Sequence, residues 1–128
     1  MANEIINSVN APAPIGPYSQ AILANNVLYV SGQIALEPST GNLISDNIEA
    51  ETHQVMKNLQ AILLEAELDF KDVVKCSIFV KDLNNFTRIN TVYGGYFTQT
   101  PPTRETVEVS RLPKDVNVEI SCIAVKAS

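Results

Sequence analysis

The chain has 128 residues, 45% apolar and 18% charged, with 14 acidic against 9 basic side chains. That length suits one domain with a core that needs neither disulfides nor metals, and the composition excludes a disordered chain. A net charge of −5 with scattered Lys and Arg counts against nucleic acid as the main partner, because phosphate binding calls for a basic face.

The start, Met1-Ala2-Asn3-Glu4, lacks the basic and apolar stretches of a signal peptide, and no apolar run reaches the length of a membrane span. A cytoplasmic protein with no membrane partner is expected. The segment from Ala11 to Pro17 holds too many prolines for a helix and reads as extended. Two strands follow, Tyr18 to Ala24 and Val27 to Ser31. Asn25-Asn26 suits a tight hairpin between them, because Asn tolerates positive φ. Gly32 ends the second strand, and Glu37 to Gly41 reads as a turn.

A helix is expected next, capped by Asp46 with Glu49 completing a capping box. Ile48, Val55, Met56, Leu59, Ile62, Leu63 and Ala66 recur at helical spacing and form its core face. His53 lies beside that stripe and reads as solvated surface. Val73 to Lys81 alternates as a strand, with Val74, Cys76, Ile78 and Val80 on one side and Lys75, Ser77 and Phe79 on the other. A second helix is expected from about Asn84 to Phe97, with Phe86, Ile89, Tyr93 and Phe97 inward. Gly94-Gly95 weakens it by about 1 kcal/mol each relative to Ala. Two strands close the chain, Thr103 to Ser110 and Val116 to Val125, with a turn over Leu112 to Asp115.

The expected architecture is a single α+β domain over residues 1–128, one sheet with two helices on one face. Cys76 and Cys122 fall in apolar strand patterns and read as small buried hydrophobes. His53 is the only histidine, so neither a His-based zinc site nor a His-containing triad is available.

The sheet face without helices carries the chemistry. In the last strand Glu119, Ser121 and Ile123 point away from the helices. In the strand before it Arg104, Thr106 and Glu108 share a side. If the two strands pair as a hairpin, Arg104, Thr106 and Glu119 lie together. A face mixing Phe79, Val and Ile with Arg and Glu suits burial against copies of the chain. An Arg at the floor of the resulting cleft suits a small carboxylate, because its planar fork engages both oxygens. From spacing alone, a surface Arg–Glu pair is the simpler explanation.

Three stretches change this balance: Ala11 to Gln20, Val30 to Ile34, and Pro102-Thr-Arg104 with Val109 to Val116 and Val118-Glu-Ile120. With Val80-Lys-Asp-Leu-Asn84 and Asn90-x-x-Tyr93, they closely resemble the Rid/YjgF family signature over essentially the whole chain. The resemblance implies a chorismate-mutase-like α+β fold and a homotrimer with clefts between subunits. It also implies a cofactor-free 2-iminobutanoate/2-iminopropanoate deaminase, a hydrolase converting the imines of 2-aminoacrylate and 2-aminocrotonate to 2-keto acids and ammonia. Position by position, Arg104 would bind the carboxylate, Ser31 and Gly32 would line the imine end, and Tyr18 would close the cleft. Glu119 would orient water, and Asn90 and the Thr106 backbone would support the site.

Three positions depart from the family pattern. Thr106 stands where many members have Cys. Glu105 replaces a small residue and by alternation points away from Arg104. Glu67 occupies the place of a helix-ending Gly. Two other readings remain: a regulatory module sensing a small carboxylate in the same cleft, and an RNA-cleaving translation inhibitor, which the acidic balance disfavours.

Overall fold

The structure is a computed structural model and describes residues 2–127. Eight main elements follow in order: β1 (Glu4–Ile6), β2 (Ala21–Ala24), β3 (Val27–Gln33), α1 (Ile48–Glu65), β4 (Val73–Val80), α2 (Phe86–Gly94), β5 (Thr103–Glu108) and β6 (Val118–Val125). The strands form one six-stranded mixed sheet in the order β1-β2-β3-β6-β4-β5. The expected α+β layer is present, with one strand more than the five expected: β1 has only three residues, too few for alternation to mark it.

The β2–β3 hairpin turns where expected. Asn25 and Asn26 both take positive φ, 50° and 67°, the conformation that matches the twist of the flanking strands. Only Ala21–Ala24 of the Tyr18–Ala24 stretch pairs as strand. β3 runs past Gly32 to Gln33, with an irregular step between Val30 and Gln33 against β6.

The helical stripe of α1 is buried from Ile48 to Ala66 and packs with Leu28, Val30, Ile78, Val118, Ile120 and Ala124 in the main core. Its cap differs from expectation. Asn47, not Asp46, accepts the amide of Ala50 at 2.8 Å. Glu49 is drawn instead to Arg88 of α2, which grips it through Nε and Nη2 at 2.8 and 2.6 Å. At the other end Glu67 sits at φ 61°, the left-handed geometry that glycine favours. His53 is exposed, yet its Nδ1 lies 2.9 Å from the Tyr96 hydroxyl.

β4 is also corrected at one residue. Val73 is buried and Val74 is 46% exposed, because the β4–β6 register shifts between Val73 and Lys75. From Cys76 onward the expected alternation holds. Phe86, expected inside α2, is half-exposed at the helix start, while Ile89, Val92 and Tyr93 are buried.

The largest correction concerns the last two strands. β5 and β6 do not form a hairpin. β5 lies at the sheet edge, parallel to β4, and β6 inserts between β3 and β4, antiparallel to both. A turn after β5, with Leu112 and Val116 packed beside Ile34, Leu36 and Phe79 in a second small core, carries the chain to the middle of the sheet. Sequential strands pair only part of the time, and here the parallel β4–α2–β5 crossover takes precedence.

Candidate functional site

The strand order divides the expected site between the two faces of the sheet. Arg104 stands opposite Cys76, and Thr106 opposite Ile78; Cys76 and Ile78 are buried on the helix side, and Arg104 and Thr106 are partly buried there. Glu119 stands opposite Phe79 on the other side. The expected grouping of Arg104, Thr106 and Glu119 on one face is therefore wrong within one chain. Arg104 also lies on the helix-covered side, not away from it.

The helix-free side holds a cleft of about 380 Å³, lined among others by Pro12, Ile15, Tyr18, Ser31, Gly32 and Glu119. Four of the residues singled out from sequence, Tyr18, Ser31, Gly32 and Glu119, meet there. Gly32 is needed for the approach. A Cβ on it would stand 2.6 Å from Glu119 Oε2 and 2.9 Å from its Cδ, far inside contact distance. The Ser31 hydroxyl donates to the Ser19 carbonyl at 2.6 Å, and its amide to the Gln20 carbonyl at 2.9 Å, so the two walls are joined. Burial pushes the Glu119 carboxyl above its ordinary range. Arg104 does not offset this within the chain, because the guanidinium is on the far face.

Three buried polar residues that the sequence reading passed over hold this cleft in shape. Gln20, 2% exposed, accepts the Ser8 amide at 2.6 Å and donates to the Ser8 and Pro12 carbonyls at 3.1 and 2.9 Å. It thereby anchors the proline-rich wall that precedes Tyr18. Asn58 of α1 donates to the carbonyls of Ile34 and Leu36 at 3.0 and 2.9 Å, fixing the chain that leaves Gly32. Glu51, also 2% exposed, accepts from the Asn117 amide and side chain at 2.8 and 2.9 Å and from the Val118 amide at 3.3 Å. That ties α1 to the residues just before Glu119. A polar residue inside an otherwise apolar helical stripe is the signal that marks Glu51 and Asn58.

The other half of the set sits under α2. The Arg104 guanidinium donates from Nη1 to Asn90 Oδ1 at 2.6 Å. Its Cζ lies 5.5 Å from the Phe86 ring centre and 5.1 Å from that of Tyr93, within cation–π range. Among the described residues it makes no ion pair. Glu105, as expected, points the other way, where it bonds Ser77 and lies 3.4 Å from Lys75. The Thr106 hydroxyl oxygen is buried without a hydrogen-bond partner among the described residues. The Tyr93 hydroxyl is buried beside the Cys76 thiol without a hydrogen-bond partner among the described residues, and burial raises the pKa of both groups, keeping them protonated. Cys76 and Cys122 are free, buried and directly opposite one another.

No group of three His, Cys, Asp or Glu side chains with the arrangement of a metal site occurs among the described residues, and no helix among them is long and apolar enough to cross a membrane.

Comparison with known proteins gives a consistent result. A family model described as Endoribonuclease L-PSP matches residues 8–126. The chain is 50% identical over 123 residues to a RutC family protein of Pyrococcus horikoshii, covering 96% of this chain and 98% of that protein. It is 43% identical over 121 residues to Reactive Intermediate Deaminase A, chloroplastic, of Arabidopsis thaliana, covering 94% of this chain and 65% of that one. Among solved structures, E. coli TdcF with bound serine superposes with a TM-score of 0.93 at 39% identity, covering 97% of this chain and 99% of that chain.

Proposed function

Because the chain belongs to the Rid/YjgF/RutC (L-PSP) family, we propose that it hydrolyses small 2-imino acids, the imines of 2-aminoacrylate and 2-aminocrotonate, to 2-keto acids and ammonia. The observation that carries this reading is Arg104: a guanidinium held in place by neutral groups and left without an anion among the described residues. Such a group is an anchor for a small carboxylate, which its planar fork engages through two oxygens. The relative solved with serine, itself a small carboxylate, supports the same ligand class. So does the relative called a reactive intermediate deaminase.

Arg104 and the Tyr18–Gly32–Glu119 cleft lie on opposite faces of one sheet. A complete site therefore draws its two halves from neighbouring copies, and we assign the chain to a cytoplasmic homotrimer with the clefts between subunits. The open sheet face carries Ile5 and Tyr29, 66% and 50% exposed, and is the surface such an assembly covers.

The chemistry asks little of the protein. A protonated imine is electrophilic at C2. Glu119 orients a water and takes its proton as the oxygen bonds to C2, giving a carbinolamine. Glu119 then returns its proton to the nitrogen; the C–N bond breaks, ammonia leaves, and the carbonyl forms as the hydroxyl proton passes back to Glu119. Burial suits Glu119 to this exchange, because a carboxyl with raised pKa both accepts and returns a proton more readily near neutrality. Tyr18 closes the cleft, and Ser31 and Gly32 line its imine end. The rest is positioning and charge complementarity; no step in this scheme calls on a cofactor.

The test is a coupled assay in which a threonine dehydratase releases the imine and keto-acid formation is timed. Acceleration over the uncatalysed rate supports the reading. Tight keto-acid binding without acceleration would make the chain a sensor of small carboxylates instead. RNA cleavage, the reading that the L-PSP description brings with it, is disfavoured by a net charge of −5.

A further inference from the structure

The other two arginines of the chain each find a carboxylate: Arg111 pairs with Asp115, and Arg88, on the same helix that covers Arg104, with Glu49. Arg104 is treated differently. Phe86, Asn90 and Tyr93 follow one another at spacings of four and three, so they lie along one side of α2. They meet the guanidinium with two ring faces and one amide oxygen. None of the three carries charge. Tyr93 is 5% exposed, and its burial keeps the phenol protonated. The nearby acids are occupied elsewhere: Glu105 by Ser77 and Lys75 on the opposite face, and Glu108 by the Leu83 amide at 2.9 Å.

We infer that Phe86, Asn90 and Tyr93 are positioning residues forming an uncharged clamp, which fixes the plane of the Arg104 guanidinium without neutralising it. Its remaining N–H donors are thus held ready for an external carboxylate. The inference rests on the proposed role of Arg104 and adds to it the device that keeps the anchor vacant. An acidic residue at position 90 would hold the same geometry and defeat the purpose, because its own charge would compete with the ligand for the guanidinium. Orientation alone would be satisfied equally by Asn or Asp.

That contrast provides the experiment. Binding of 2-oxobutanoate to the full-length protein is measured by calorimetry for wild type, Asn90→Asp, Asn90→Ala, Phe86→Leu and Arg104→Ala, with KM and kcat for the imine alongside. Asn90→Asp is expected to bind about tenfold or more weakly, and more weakly than Asn90→Ala, with the loss in KM rather than kcat. A structural role would give the reverse order, since Asp is the closer replacement in shape. Phe86→Leu, which keeps the apolar bulk, is expected to lose a few-fold in affinity with the lost ring. Wild-type affinity in Asn90→Asp, or affinity above that of Asn90→Ala, overturns the clamp while Arg104 remains the anchor. If Asn90→Asp does not fold, wild-type affinity in Phe86→Leu overturns it. Unchanged binding in Arg104→Ala removes the anchor itself, a different failure that takes the clamp with it.

Discussion

The two halves of the candidate site are built on opposite principles. Around Glu119 the protein crowds a titratable group: Gly32 lets the carboxyl approach the backbone, and burial raises its pKa. Around Arg104 it surrounds a permanent charge with neutral partners and leaves it vacant. In the proposed reaction one half is where a proton moves, and the other is where a charge waits. The sheet between them separates the two within a chain, and this is why one copy cannot hold a small substrate at both.

The comparison breaks most sharply at Arg104. Removing the partner of a desolvated, hydrogen-bonded charge costs about 2–5 kcal/mol, so Arg104→Ala is expected to lower kcat/KM by roughly 30-fold to several-thousand-fold. Arg104→Lys is expected to fail substantially as well, since a point charge lacks the fork. Steady-state kinetics and the mass of the assembly measure both effects. Near-normal hydrolysis in Arg104→Ala would remove the anchor. Mixing inactive Arg104→Ala with inactive Glu119→Ala chains sharpens the same point. In mixed assemblies about one interface in four pairs the two intact halves, so activity returns. A mixture that stays inactive after verified subunit exchange would place the whole site within one chain.

Glu119→Ala is expected to slow turnover by about 10- to 1,000-fold while keto-acid binding persists. Equal losses in both would assign Glu119 to structure. Gly32→Ala acts on the same group from the backbone side. The added Cβ displaces the Glu119 carboxyl, which is the end of a flexible side chain, so kcat falls while thermal stability changes little. A large drop in Tm would show that the backbone, not the carboxyl, gives way.

A smaller effect concerns pH. Burial favours the protonated form of Glu119 in the folded chain. The stability that protonation contributes is complete below the ordinary glutamate pKa and is lost as pH rises through the raised one. Glu119→Gln, permanently neutral, is therefore expected to have a higher Tm than wild type at pH 8 and a similar one near pH 4. No difference at pH 8 would mean that the carboxyl finds a cation in the assembly, most directly Arg104 of a neighbouring copy. The smallest effect is at Thr106, whose hydroxyl is buried without a partner among the described residues. Thr106→Val is expected to stabilise by about 1 kcal/mol in denaturant unfolding. Destabilisation would reveal a partner for the hydroxyl across a subunit interface.

Much of this molecule was legible in one dimension. The period of the α1 stripe, the Asn25-Asn26 turn, the alternation of β6 and the outward direction of Glu105 are local properties, dictated by backbone geometry within a few residues. The resemblance marked Glu67 as occupying the place of a helix-ending Gly, and the residue does take that left-handed geometry. Strand alternation singled out Arg104 and Glu119 as candidates, whereas Tyr18, Ser31, Gly32 and Asn90 were marked by the family resemblance alone. What tertiary structure alone decided is which face each one occupies. Arg104 and Glu119 sit on strands that neighbour each other in sequence, yet β6 enters between β3 and β4 and β5 runs parallel at the edge. Strand pairing is settled by non-local hydrogen bonds and core packing, and alternation within a strand carries no information about its neighbour. The cap at Asn47 and the Glu49–Arg88 pair were lost to the sequence reading for the same reason, because the competing partner of Glu49 lies 39 residues away.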